Sequence, residues 1–555
     1  VISISSKTVS LRTASPVAEA KSLPTTDALV WLICILFIAL GFSERIVGLG
    51  YRSFWVDEAW VANLINADNY LSAILHDKAG YWGPMPLLFV LSTKVAVVFL
   101  GNNEWAFRLM PCLFGLGALI VVGLLAREAF GQSNFWLVPV ALLSVNPNAI
   151  YYSKELKQYS GELFFSSALL YLTALLLKRK GTQRKVALLY FVAGLFAIGF
   201  GIPVVFVIAA TSVFIGLQFC ARREWEPLLK AALIAFVLGV SSITIYLLWL
   251  RPQGGGGYPL FWERTYFMPK EVLELPWWFL NRGLSFFTTD FGFPTMVLGK
   301  NLVFRNEYLF CYIAGFASCL GILRFIRSEN KWLVFVYGGI LGTLILLSIF
   351  HAWPFGGSRV NLFLLPFHLL FIGGGIQVAA TFLNRYAKTP PFRWCLVGMG
   401  VLTILPIHSL DENLWHLRKR EELRPIVEYL KSNFEPERQR IYVYLWAGEA
   451  FRYYWGRDSR LQDPSLYHIG SSTTPVLLEE EAEYLTDLEN YLQDLPDTVE
   501  EIYVAFSHIY RLEDRPILAY LRDRFGDEID TRQDFRAALY LFRIKGENEE
   551  KDSSV

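Results

Sequence analysis

Long apolar runs recur along the chain, and they leave few folds open to it. A helix that crosses a bilayer needs roughly 20 mostly apolar residues. Such runs occur at 28–49, 106–126, 134–150, 160–177, 186–201, 203–220, 231–250, 306–323, 332–350, 360–382 and 394–410. In hydrocarbon the backbone must satisfy its own hydrogen bonds, so these runs predict helices rather than open sheets. The expected fold is a polytopic α-helical membrane protein with about 11 transmembrane helices. Composition agrees, with 54% of residues hydrophobic and only 18% charged, against about 25% charged in an average soluble domain.

A further apolar stretch, "PMPLLFVLSTKVAVVFLG" at 84–101, carries Lys94 at its centre. A mid-helix lysine costs about 2.5–3.5 kcal/mol on insertion, so this piece is read as an interfacial or re-entrant helix. That reading sets the sidedness. Segment 178–185, "KRKGTQRK", has five basic residues and no acid, and 384–393 has three basic residues and no acid. Short basic loops stay cytoplasmic, which eleven spans with an internal N-terminus satisfy. The Ser/Thr-rich residues 1–27 and the polar end 546–555 read as disordered tails. All six cysteines lie in or beside apolar runs, which argues against a disulfide framework. A net charge of +1 gives no reason to expect a nucleic-acid partner.

After residue 410 the pattern changes to short apolar strands alternating with amphipathic helices. "RIYVYLWA", "EEIYVAFSHI" and "AALYLFRI" read as strands; "EELRPIVEYLKSN", "LLEEEAEYLTDLENYLQDL" and "RPILAYLRDRFG" read as helices. Residues 411–545 are therefore expected to form a soluble α/β domain, which the odd span count places outside the cytoplasm. It has no GxGxxG and no P-loop, so nothing marks it as a nucleotide site.

The same count brings four features to the outer face. They are the acid pair Asp57–Glu58 in the loop 50–105, the segment "NPNAIYYSKELKQYSGELFF" at 146–165, the loop 251–305, and "HAWPFGGSRVNLFLLP" at 351–366. Each has a plain structural reading. Acids at a helix start suit its free N–H groups and dipole, and lysines at a span end snorkel. The four glycines 254–257 suit a hinge, and the ten aromatics from Tyr258 to Phe287, Trp262 among them, suit an interfacial belt or a lid stacking on sugars.

Three motifs go further. "SKELKQYS" (153–160) resembles the Ser-Arg-Glu-Ala-Arg-x-Tyr-Ser pattern of bacterial membrane glycosyltransferases of the C superfamily, which include protein O-mannosyltransferases and lipid A aminoarabinose transferases. "NEWAFRLMPCLFGLG" (103–117), with Arg108, resembles the Glu-x-x-x-Arg-Leu-Pro-Ser opening of their following span. "WVDEAW" (55–60) resembles their first-loop acidic motif. The resemblance covers roughly residues 28–410. It departs from the pattern at Lys154 and Lys157, where arginines are usual, and at Val360, where a tyrosine commonly follows the arginine.

The resemblance implies a transmembrane glycosyltransferase domain at 28–410 that moves a sugar from a polyprenyl-phosphate donor to a glycan, lipid or protein acceptor at an inner membrane. A phosphate leaves readily as an anion, so no strong general acid is needed, unlike the two-carboxylate glycosidases. One carboxylate suffices as base, and cations stabilise the phosphate. On this reading Asp57 is the base, Glu58 and Glu155 assist it, and Lys154, Lys157 and Arg359 meet the phosphate. Arg108, Tyr159, Trp262 and His351 complete the expected substrate contacts. Related oligosaccharide transferases bridge acidic motifs with a divalent ion. Asp57, Glu58, Glu155, His76 and His351 are the residues that could ligate one here, although no tight spacing such as HExxH occurs. Two other classes fit the spans, a flippase for lipid-linked sugars and a non-catalytic assembly subunit. A transporter would favour ionisable residues at mid-membrane, whereas here they gather at span ends.

Overall fold

The computed structural model describes residues 25–76, 84–178, 183–253, 266, 272–290, 303–387, 391–404, 414–456, 463–471, 482–509 and 514–544. The C-terminal tail, Trp262, the four glycines and most of the loop 251–305 lie outside them, as does the N-terminal tail up to residue 24.

Among the described residues, seven helices are long and apolar enough to cross a membrane, and each coincides with an expected span. Five of them are α1 (Thr25–Ile46), α5 (Glu104–Phe130), α8 (Tyr159–Lys178), α10 (Val204–Ala221) and α11 (Trp225–Ile245, continued by a π turn). The other two are Trp332–Ile349 and a unit running from a 3-10 turn at Arg359–Leu364 into the helix Leu365–Ala387. Their outer faces carry exposed Leu32, Ile35, Leu229, Leu233 and Phe236, which suit lipid rather than water. The remaining expected spans form α9 (Gln183–Phe200), Val303–Ile326, Pro391–Ile404, and a broken piece at 134–150. This last run is not one helix but α6 (Leu137–Ser144) and α7 (Pro147–Ser153). The break falls where Pro147 starts a helix and the Asn146 side chain accepts from the Ala149 N–H at 2.8 Å, a capping arrangement that ends one helix to begin another.

Helix contacts use small residues. A Cβ on Gly321 would lie 1.8 Å from the Phe371 carbonyl oxygen, and one on Gly375 would lie 1.9 Å from that of Ala317. Only glycine permits so close an approach of Val303–Ile326 to Leu365–Ala387. Elsewhere rings fill the gaps, as where Phe114 of α5 meets Phe165 of α8 at 5.5 Å and Phe200 of α9 at 4.8 Å.

Between α1 and α5 lie α2 (Val56–Asn66), α3 (Tyr70–His76) and α4 (Leu87–Leu100). With 14 residues, α4 is roughly 21 Å long, short of a hydrocarbon core of about 30 Å. Its Lys94 donates to the Ile65 carbonyl at 2.7 Å and sits over the Tyr70 ring, so the loop itself neutralises the lysine's cost.

The C-terminal region forms a five-stranded sheet of order β2-β1-β3-β5-β4. The strands are β1 (Gln439–Val443), β2 (Tyr467–Ile469), β3 (Glu501–Ser507), β4 (Asp530–Asp534) and β5 (Ala537–Arg543). β1 is parallel to β2 and β3, and β5 is antiparallel to β3 and β4. The three expected strands are β1, β3 and β5, and the three expected helices form as well. The edge strands β2 and β4 and the helix Gly448–Trp455 were not expected, since they are short or polar. This sheet does not stand apart. Its apolar core is continuous with Phe54, Trp60, Val61 and Ile65 of the first loop and α2.

Candidate active site

The site is built around the first turn of α2. Trp55 occupies the N-cap position in extended geometry, with no side-chain cap bond, so Asp57 and Glu58 are not caps. They are consecutive residues, about 100° apart around the helix, and they point to different partners. Glu58 is fully buried and takes a bidentate pair from Arg108 at 2.7 and 2.8 Å, plus the Leu156 N–H at 2.8 Å. Burial alone would raise its pKa, but the charges of Arg108 and Arg52 and these hydrogen bonds hold it below the usual glutamate value. The other Arg108 donors reach the Leu49, Arg52 and Ser53 carbonyls. All five guanidinium N–H groups are thereby used inside the protein.

Asp57 is also buried, yet it faces cations: Arg359 Nη1 at 3.0 Å and Lys157 Nζ at 4.0 Å. Arg359 is delivered by the 3-10 turn, which Asn361 organises by donating to the Pro354 and Gly356 carbonyls while accepting from the Trp353 indole. Lys157 comes from the short link between α7 and α8, pinned at its neighbour Leu156 by Glu58. Tyr159, the first residue of α8, lies 6.0 Å from the Arg359 guanidinium.

The two lysines of "SKELKQYS" part company. The charges around Lys157 are Asp57, Arg359, Glu155 and Glu58, and burial lowers its pKa. Those around Lys154 are Arg52, Glu44 and Arg45, toward α1, and burial with the Arg52 charge lowers its pKa to about 7. The strongest charges on Lys154 thus come from the α1 side, whereas those on Lys157 include Asp57. Glu155, between them, accepts from the Trp55 indole at 2.9 Å, the Tyr151 hydroxyl at 3.3 Å and Arg420 at 3.3 Å. Its second oxygen is buried and has no hydrogen-bond partner among the described residues. Burial and the Glu58 charge raise its pKa to about 7. His351 stacks on Tyr266 at 5.0 Å, and no described bond joins it to Asp57 or Glu155. Trp262 lies outside the described residues.

Sequence reasoning missed a whole wall of this site. Arg420 lies 3.3 Å over the Trp55 ring, and Arg418 lies over Tyr151. His508, just after β3, is 5.9 Å from the Trp55 ring and 2.7 Å from Glu421. Glu422 accepts from the Ser53 N–H and hydroxyl, while Arg424 and Tyr454 both bond Glu104 at the head of α5. The available signal was the basic run "LRKREELR" at 417–424, a few residues beyond the last apolar segment.

Of the candidate metal ligands, Asp57, Glu58, Glu155 and His351 have described side chains, and the side chain of His76 lies outside the description. Among the described residues no three His, Cys, Asp or Glu side chains form a group that could hold an ion. Asp57 and Glu58 direct oxygens to cations instead, so these residues do not fit a divalent ion.

Against known structures, the chain resembles ArnT from Cupriavidus metallidurans. In the apo state, 93% of this chain aligns with 98% of that one at TM-score 0.51 and 12% identity. For ArnT bound to undecaprenyl phosphate the TM-score is 0.53 at 11% identity, with the same coverage. The fold is that of ArnT. ArnT is an aminoarabinose transferase, a C-superfamily glycosyltransferase, and an ArnT-like fold spans the bundle and the C-terminal sheet alike. No family model matches the sequence, and no curated protein does.

Proposed function

We propose that the chain is a membrane glycosyltransferase that moves a sugar from a polyprenyl-phosphate donor to an acceptor at the non-cytoplasmic face of an inner membrane. The observation that supports it is a buried carboxylate, Asp57, flanked by Arg359 and Lys157 at the head of α8, in a chain with the fold of ArnT. A solved ArnT structure holds undecaprenyl phosphate, and the short basic loops favour the placement of Asp57 away from the cytoplasm.

The chemistry is a single displacement. The acceptor hydroxyl oxygen attacks the anomeric carbon as the bond to the phosphate oxygen breaks, and the phosphate leaves with that electron pair. The hydroxyl proton passes to Asp57. Arg359 carries five N–H donors in a planar fork, so it can hold Asp57 and a phosphate oxygen together, and Lys157 adds a point charge. Both cations oppose the negative charge that grows on the leaving phosphate. Glu58 sets the backbone that presents Lys157, and Glu155 with Trp55 and Arg420 forms the wall beside it. Acceptor and sugar identity would come from that wall and the C-terminal domain above it.

The test is incubation of purified, reconstituted protein with a panel of polyprenyl-phosphate sugars and candidate glycan, lipid and protein acceptors. Consumption of one donor with release of polyprenyl phosphate is expected. Movement of donor across the bilayer without consumption would make the chain a flippase, and inertness toward every donor would make it an assembly subunit.

A further inference from the structure

A cavity lies at the end of the bundle away from Asp57. Its volume is about 590 Å³, and it is enclosed by the far ends of α8, α9, α10 and α11. Helix direction fixes its distance from Asp57. α8 starts beside the site at Tyr159 and reaches the cavity at Leu176, seventeen residues and roughly 26 Å later at 1.5 Å per residue. α9 and α10 agree, since their near ends meet at Ile202, whose N–H donates to Glu162 in the first turn of α8. The cavity therefore opens at the other membrane surface.

Its lining is amphiphilic in a definite order. Ile215, Phe219 and Ile234 give an apolar interior, and the mouth carries exposed Arg184, Lys185 and Lys230. Glu226 is the one carboxylate among the lining residues and is bonded to Lys230, which leaves Arg184 and Lys185 as the excess positive charge. They belong to the acid-free segment "KRKGTQRK". α11 on one wall buries only Leu238 along its length, so the groove is reachable from surrounding lipid. A greasy slot under a basic mouth at a membrane surface matches one chemistry, an acyl chain attached to an anionic headgroup.

We infer that this cavity is a binding site for an anionic phospholipid, with its headgroup on Arg184 and Lys185 and an acyl chain between α10 and α11. It is separate from the donor site and needs no assumption about the reaction. The test is native mass spectrometry of the full chain exposed to equal amounts of phosphatidylglycerol and phosphatidylcholine, with thermal melting as the folding control. Retention of phosphatidylglycerol about fivefold or more above phosphatidylcholine is expected. Arg184→Glu with Lys185→Glu should abolish that preference, and the milder Arg184→Gln with Lys185→Gln should reduce it. Ala231→Trp, which fills the slot, should lower retention of both lipids. The reference pair Arg327→Glu with Lys331→Glu reverses exposed charges in a loop on the same side but outside the lining, and should leave the preference intact. Equal retention of the two lipids, equal loss in the reference pair, or displacement of phosphatidylglycerol by sodium phosphate would each overturn the assignment.

Discussion

Two clusters flank the first turn of α2, and they use the same residue types to opposite ends. On one side Glu58, Arg108, Arg52 and the Leu156 N–H form a closed clasp in which the donors of Arg108 are spent on the protein. On the other side Asp57 meets Arg359 and Lys157, the former with its side chain 24% exposed. That exposure distinguishes Arg359 from Arg108, whose side chain is fully buried. The contrast separates an arginine whose donors are all spent inside the protein from one whose side chain stays partly exposed.

The sharpest way to break this comparison is Asp57→Asn. It keeps the size of the side chain but cannot take a proton, so transfer should fall by about 10²–10⁴-fold, the range for a general base. Melting temperature should fall less than in Glu58→Gln, because Arg359 keeps partial solvent contact. Glu58→Gln should show the reverse emphasis, with a lower melting temperature and a smaller loss of rate. Equal rates for wild type and folded Asp57→Asn would remove Asp57 from the chemistry.

Next in size is Arg108→Met, which strands Glu58 as an uncompensated buried charge. Breaking such a pair typically costs about 3–5 kcal/mol, seen here as a fall in melting temperature. Adding Glu58→Leu should restore part of the loss, because the stranded charge is gone. If Arg108→Met instead melts normally and loses only donor binding, the clasp is part of the substrate site after all.

The lysines give the third comparison. Lys157→Ala should raise the donor KM by roughly 10–100-fold, in line with a lost charged hydrogen bond of about 1.5–3 kcal/mol, and Lys157→Arg should retain activity. Arg359→Ala should behave as Lys157→Ala does. Lys154→Ala should spare the donor KM, since its charge partners lie toward α1. A larger KM effect at Lys154 than at Lys157 would reverse the placement.

The smallest effect is one of pH. Because Glu155 has its pKa raised to about 7 by burial and the Glu58 charge, the folded state holds that proton more tightly than the unfolded chain. Its contribution to stability is full below the ordinary glutamate value of about 4.3 and is lost as pH rises toward 7. Melting temperature should therefore decline from pH 5 to 7 in wild type and decline less in Glu155→Gln. An identical slope in both would show that Glu155 is ionised throughout.

Much of the bundle was legible because hydrocarbon leaves one way to satisfy a backbone, so apolar length translates directly into helix. The run at 134–150 was misread as a single span because Asn146 and Pro147 are too few to lower its mean hydropathy, although they are enough to restart a helix. β2 and β4 were missed for a related reason. An edge strand of three residues or one reading "DTRQD" has no apolar alternation, and it exists only because a neighbour supplies its hydrogen bonds.

By itself, the sequence determined the membrane-spanning character and the α/β end, because each follows from composition and patterning along the chain, and it set Asp57, Glu155, both lysines and Arg359 on one expected face. Tertiary structure alone decided which acid is clasped by Arg108 and which meets Arg359, which lysine faces Asp57, and that Arg420 and His508 line the site from some 265 to 450 positions away. Those outcomes depend on which side of a helix turn meets which partner. A rotation of about 100° per residue separates neighbours that the linear sequence presents as a pair.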